Sequence, residues 1–254
     1  MTGQRVAVTA ACSGIGLAIA RAFRADGAVV HVCDVDPDAV ETVAAEGLVA
    51  TRVDVADGEA LDEWMDGTLD ALGGLDVLVN NAGIAGPTAL VEDVDPLEWE
   101  RCLAVGLTSH YRTCARVAPI MKAARHGCII NISSTSGLVG MGMRTPYAAA
   151  KWAVIGLTKS LAVELGPYDV RVNAVCPGSV EGERMKAVIA REAAARGLSP
   201  EAVERDWLQV QSIARYVQPE EVAALCLYLA SDAATMVSGQ AIAVDGNTET
   251  FHIA

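Results

Sequence analysis

Tyr147 and Lys151 stand four residues apart in Tyr147-Ala148-Ala149-Ala150-Lys151, which puts both side chains on one face of a helix. A free phenol, with a pKa of about 10, is ionised only to roughly one part in a thousand at pH 7. A neighbouring ammonium favours the phenolate, so a tyrosine placed this way can give or take a proton near neutrality. Ser134 lies 13 residues before Tyr147, just past a strand-like run. Its hydroxyl can donate to a substrate oxygen while Tyr147 exchanges the proton. Taken alone, Tyr-x-x-x-Lys is common and more often serves packing or a surface.

A second group lies near the start, in Thr9-Ala10-Ala11-Cys12-Ser13-Gly14-Ile15-Gly16. Gly14 and Gly16 let backbone approach a ligand, and the helix that follows offers unpaired N–H groups and a positive dipole end to a diphosphate. Ser13 and Ile15 are the cofactor-binding positions expected there. Asp34 follows 18 residues after Gly16, where a carboxylate can accept hydrogen bonds from both ribose hydroxyls of an adenosine. It would also repel a 2′-phosphate. With no Arg or Lys in the turn or just after Asp34, the expectation is NAD(H) rather than NADP(H).

These groups need a scaffold, and the chain alternates short β-rich runs with helical stretches. Strands are expected at Arg5–Thr9, Val29–Cys33, Leu48–Val53, Asp76–Asn80, Cys128–Ile132, Val170–Val175 and Gln240–Val244. Long helices are expected over Trp99–Ala124 and Tyr147–Leu165. Near-continuous Val/Ile strands joined by helices predict an α/β fold, a doubly wound parallel sheet of Rossmann type. Glu181 to Gln218 breaks the alternation as a helical insertion in a single domain. Its two helices are separated at Gly197-Leu198-Ser199-Pro200, with Ser199 as cap and Pro200 in the first position.

The 254 residues carry 32 acidic and 19 basic side chains, a net charge of −13, which excludes nucleic acid and anionic lipid as natural partners. A hydrophobic share of 52% excludes a disordered chain. The longest uncharged run, Gly127 to Met143, is polar in its middle and short of the ~20 apolar residues of a membrane span. No signal peptide is evident at the start. Seven cysteines without a Cys-x-x-Cys pair, and four scattered histidines (31, 110, 126 and 252), predict buried thiols in a reducing cytoplasm and no metal site.

Together these residues resemble the short-chain dehydrogenase/reductase family over essentially the whole chain. The resemblance rests on the Thr9–Gly16 turn, Asp54, Asn80-Asn81-Ala82-Gly83, Ser134, Tyr147, Lys151 and Asn173-Ala174-Val175-Cys176-Pro177-Gly178. It implies that Asp54 and Val55 contact adenine and that Asn81 lines the cofactor cleft. By the same resemblance Lys151 holds the nicotinamide ribose and tunes Tyr147, and Pro177 to Val180 flank the nicotinamide. It further implies a homotetramer or homodimer built on the two long helices.

Three positions depart from the family pattern. The first glycine of the turn is Ala10, expected only to tighten the loop. The threonine after Pro-Gly falls at Gly182, which leaves one carboxamide hydrogen bond in doubt. The asparagine that helps seat a proton-relay water is Gly106, where a bend or a water site is expected, with a backbone carbonyl exposed by the glycine or a neighbour such as Ser109 as a stand-in for the missing side chain.

The function expected is an NAD-dependent oxidoreductase interconverting a secondary alcohol and a ketone on a small polar substrate, a hydroxy acid or sugar derivative. Ser134, Tyr147 and Lys151 are the catalytic residues of that reading. The alternatives are a 3-oxoacyl thioester (carrier-protein) reductase and a catalytically silent nucleotide-binding regulatory protein. The insertion is expected to cover the substrate together with Met141, Met143 and Arg144, and Arg144 and Arg184 can grip a carboxylate or several hydroxyls.

Overall fold

Runs of Val, Ile and Ala that are apolar on both faces call for cover on both faces, and the sheet has it. The computed structural model describes residues 3–248; Met1, Thr2 and His252 lie outside them. The strands are β1 (Arg5–Thr9), β2 (Val29–Asp34), β3 (Val49–Arg52), β4 (Val77–Asn80), β5 (Gly127–Ile132), β6 (Val170–Pro177) and β7 (Ala241–Val244). They form one parallel sheet in the order β3-β2-β1-β4-β5-β6-β7. The chain winds outward in both directions from the β1/β4 pair, so a crevice opens beyond the carboxyl ends of these two strands.

Side chains alternate across the sheet, as the two-residue period requires. Val6 and Val8 face helices α1 (Gly14–Ala25) and α9 (Pro219–Ala230), packing with Ile19, Phe23, Val222 and Leu229. Ala7 and Leu78 face α3 (Gly58–Leu72) and α5 (Ser109–Ala124), packing with Leu61, Trp64, Val117 and Met121. Helix α2 (Pro37–Ala45) joins β2 to β3, and α6 (Thr145–Leu165) packs against β6.

The long helix expected over Trp99–Ala124 is not continuous. Helix α4 (Pro96–Leu103) starts earlier, with Asp95 accepting from the Leu97 N–H, and passes through a π-helical turn, Ala104–Thr108, before α5. Gly106 is at the centre of that turn and buried. Glycine is, after proline, the residue least able to hold a regular helix, at about 1 kcal/mol relative to alanine, so the widening falls where the chain resists least.

The insertion forms two helices, α7 (Glu183–Arg196) and α8 (Pro200–Gln209). Gly197 closes α7 at φ 64°, and Ser199 caps α8 by accepting from Ala202 N with Pro200 in the first turn. They are pinned by buried Glu192, which accepts from Arg196 and from the Trp207 indole, both at 2.9 Å. All seven cysteines are free and buried. Among the described residues no helix is long and apolar enough to cross a membrane.

Candidate active site

The strand ends build the site. Thr9 ends β1, Asp34 ends β2, Asn80 ends β4, Ile132 ends β5 and Pro177 ends β6, all on the same edge of the parallel sheet. The cleft beyond them has a volume of about 530 Å³. Its nucleotide end is walled by Ser13, Gly14, Ile15 and Asp34, with Asp54 and Val55 beside them. Asn81 and Val180 lie along its length, and Ser134, Tyr147 and Lys151 meet at the other end. Every residue singled out from the sequence as catalytic or cofactor-binding therefore borders this one space.

The turn after β1 is shaped to admit backbone-bound anions. Gly14 has φ 50°, and a Cβ on buried Gly16 would run into the Ala10 carbonyl and stand 2.5 Å from Asn81 Nδ2. Ser13 precedes α1 without bonding its side chain to the first turn. Asn81 has a role that its place in the sequence did not disclose. Its Nδ2 donates to the carbonyls of Thr9 (3.0 Å) and Ala10 (2.8 Å), and the Asn81 and Ala82 N–H groups donate to Thr9 Oγ1. The end of β4 thus holds the turn open. Ala10 adopts φ 50°, a left-handed conformation that costs a non-glycine residue roughly 1–2 kcal/mol. The alanine therefore strains the loop, an effect beyond the tightening expected from the sequence.

Asp34 is fixed by backbone donors: Cys12 N at 3.0 Å on one oxygen, and Val35 N (2.8 Å) and Asp36 N (3.3 Å) on the other. Asp54 is pinned by the Ala56 N–H and by Arg101 at 2.9 Å, and these donors hold its carboxyl below the usual range against the opposing pull of burial. Arg101, 47 residues from Asp54, carries no local signal that would have marked it as a wall of the cleft. The uncapped helix end, the close-approach glycine and the oriented Asp34 together fit a dinucleotide.

At the other end, Lys151 is buried and its Nζ donates to the Ile132 carbonyl at 2.9 Å. Nζ lies 5.8 Å from the centre of the Tyr147 ring. The Arg144 and Arg184 guanidiniums lie 5.3 and 5.9 Å from the same ring. Burial alone would push the phenol up; the charges of Arg184 and Lys151, the Ser134 hydroxyl and Arg144 outweigh it and lower the pKa of Tyr147. The Lys151 pKa is also lowered, chiefly by burial. Ser134 Oγ accepts from the Ser136 N–H at 3.1 Å, which leaves its own proton to donate. Ser133 donates to the Lys151 carbonyl at 2.8 Å and ties α6 to the end of β5. Fully buried His110 donates through Nε2 to the Ala82 carbonyl at 3.0 Å; burial and the Lys151 charge push its pKa down to about 3, so it remains neutral.

The departures acquire physical reasons here. Gly182 has φ 143°, a conformation that a threonine in its place would resist. The Ser109 hydroxyl donates to Val105 O at 2.7 Å inside its own helix, so its proton is already committed. Met141 is buried in the cleft wall, whereas Met143 lies outside it at φ 58°, its carbonyl accepting from Ala89 N.

The fold and cleft define a nicotinamide-binding oxidoreductase of Rossmann type. A family model described as Enoyl-(Acyl carrier protein) reductase matches residues 9–247. The chain is 38% identical over 258 residues to the monensin polyketide synthase putative ketoacyl reductase of Streptomyces virginiae, covering 98% of both. It is 36% identical over 253 residues to the D-beta-hydroxybutyrate dehydrogenase of Cupriavidus necator, covering 97% of this chain and 98% of the relative. The crystal structure of an actinorhodin polyketide ketoreductase variant with NADPH superposes with a TM-score of 0.91 at 33% identity, covering 97% of this chain and 98% of that one. The chain belongs to the short-chain dehydrogenase/reductase family, and it is an enzyme interconverting secondary alcohols and ketones.

Proposed function

We propose that the protein is an NAD(H)-dependent dehydrogenase of small polar secondary alcohols, with Tyr147 as the acid/base. The observation carrying the catalytic assignment is a phenol ringed by the Lys151, Arg144 and Arg184 cations and set beside Ser134, a setting that lowers its pKa. When bound, the nicotinamide accepts or supplies hydride at its C4. Ser134 donates to the substrate oxygen and orients it. Tyr147 takes the alcohol proton during oxidation and returns one to the ketone oxygen during reduction. Lys151 stabilises the phenolate and, from α6 with its ammonium against the end of β5, would hold the ribose. Ser13, Ile15, Asn81 and Val180 hold the rest of the dinucleotide, with Asp54 and Val55 at the adenine.

The preference for NAD(H) rests on Asp34, whose carboxylate stands at the nucleotide end of the cleft with no cation paired to it among the described residues. The α7–α8 insertion acts as the lid of the single domain, since Arg184, Met185, Val188 and Trp207 wall the substrate end. A homotetramer or homodimer is supported by large apolar side chains left in solvent on α4, α5 and α6, among them Leu97, Tyr111 and Trp152. Seven unpaired thiols fit a reducing cytoplasm.

Binding titrations with NADH and NADPH, followed by a turnover screen over hydroxy acids, sugar alcohols and 3-oxoacyl thioesters, test this reading. NADH should bind more tightly and the small alcohols should react. Tighter NADPH binding, with turnover confined to the thioesters, would favour the carrier-protein reductase alternative.

A further inference from the structure

Cations gather at the substrate end of a strongly acidic protein. Arg144 is 4% exposed and makes its hydrogen bond through Nη2 to the Ala85 carbonyl at 2.9 Å. Its Nε and Nη1 are buried without a partner. Arg184, in the first turn of α7, donates through Nη1 to the Gly83 carbonyl at 2.9 Å. Among the described residues, neither guanidinium has a carboxylate within ion-pair distance, although Arg5, Arg21, Arg101, Arg112, Arg125 and Arg215 all do.

The nearby acids are engaged elsewhere. Glu181 accepts from Gln218 at 2.7 Å, Glu183 pairs with Lys186 at 2.7 Å, and Glu192 is held by Arg196 and Trp207. A buried guanidinium with unpaired N–H groups is costly unless an anion completes it, and none of the described residues nearby does so. The dinucleotide phosphates belong to the Gly14–Gly16 end. The anion that reaches Arg144 and Arg184 must therefore arrive on the substrate.

Resting on the dehydrogenase reading above, we infer that Arg144 and Arg184 bind a carboxylate of the substrate, so that the enzyme acts on hydroxy acids and their oxo acids. Both guanidiniums lie within 6 Å of the centre of the ring that exchanges the proton, at 5.3 and 5.9 Å. The carboxylate and the reacting carbon must then be only a few atoms apart, which specifies short acids. Arg144 sits in the wall of the sheet domain, while Arg184 is carried on the insertion, so one carboxylate bridges the sheet domain and the helices covering it.

Calorimetric titration of the NADH-bound protein with butyrate, butyramide and methyl phosphate tests the site, beside kcat/KM for four-carbon hydroxy acids and their amides. Butyrate should bind at least about tenfold more tightly than butyramide, and the acids should be favoured by a similar factor in turnover. Arg144→Met and Arg184→Met should each bring that acid-to-amide ratio to within about threefold, with Arg184→Lys restoring part of it. Should Arg144→Met fail to fold, Arg184→Met carries the test, because Arg184 lies on an exposed helix turn. Equal binding of butyrate and butyramide, a ratio that survives the substitutions, or tighter binding of methyl phosphate would overturn the carboxylate site. Butyrate preference without turnover of any alcohol or ketone would support the site and overturn the catalytic assignments instead.

Discussion

Lys151 Nζ stands 5.8 Å from the centre of the Tyr147 ring, one helical turn along α6, and donates to the carbonyl of Ile132 at 2.9 Å. The ammonium is thereby held by β5 while the phenol is held by α6, and their separation is set by the packing of helix on sheet.

This relationship determines a pH dependence. Alcohol oxidation requires the phenolate, so its rate should rise with pH through the lowered pKa of Tyr147, on the acid side of the usual phenol value; ketone reduction should fall through the same pKa. Lys151→Met removes one stabilising charge and should move both limbs to higher pH. Tyr147→Phe should lose about 10²–10⁴-fold in kcat. Steady-state pH profiles check both, and a Tyr147→Phe variant within about twofold of the parent would exclude the acid/base assignment.

Asp34→Asn keeps an acceptor for the Cys12 or Val35 N–H and deletes the charge. The ratio of NADPH to NADH dissociation constants should fall by about tenfold or more, since unit charges near 4 Å interact by about 4 kcal/mol at protein surfaces. Fluorescence titration of both cofactors measures it. An unchanged ratio would show that Asp34 does not discriminate.

Gly16→Ala places a methyl against the Ala10 carbonyl and Asn81 Nδ2, atoms that are backbone or tied to backbone. Overpacking of this kind costs typically about 1–3 kcal/mol. Thermal melting should drop and dinucleotide binding should weaken together. An unchanged melting temperature would mean that the turn yields more readily than its hydrogen bonds imply.

Gly106→Asn meets a gentler environment, because a Cβ there lies 3.4 Å from the Ala150 Cβ, an ordinary contact. The variant should fold, with stability equal to the parent or higher by roughly a few tenths of a kcal/mol from helix propensity alone. Turnover should be equal to or above the parent, with an altered pH profile if proton delivery limits the rate. A slower protein destabilised by about 1–3 kcal/mol would show that the glycine keeps necessary space.

Much of the site was legible in the chain because its signals are local. The four-residue offset of Tyr147 and Lys151 follows from the helical period, and the glycines of the first turn follow from what a backbone near a ligand can tolerate. Apolar strand runs specify a covered parallel sheet, and in such a sheet the carboxyl ends of the strands converge. That is why Ser134 and Asp34, far apart in sequence, could be assigned to one cleft, whereas Asn81 was placed there by the family resemblance. Tertiary structure alone decided the rest. A bend at Gly106 was expected from the glycine, but its form as a π-helical turn was not, and the two bonds from Asn81 Nδ2 to the turn span 72 and 71 residues. The partner of Arg101 and the lack of one for Nε and Nη1 of Arg144 are likewise outcomes of packing. An arginine's type and spacing say that it can bind an anion; only the arrangement of every neighbouring carboxylate decides whether the protein has already supplied one.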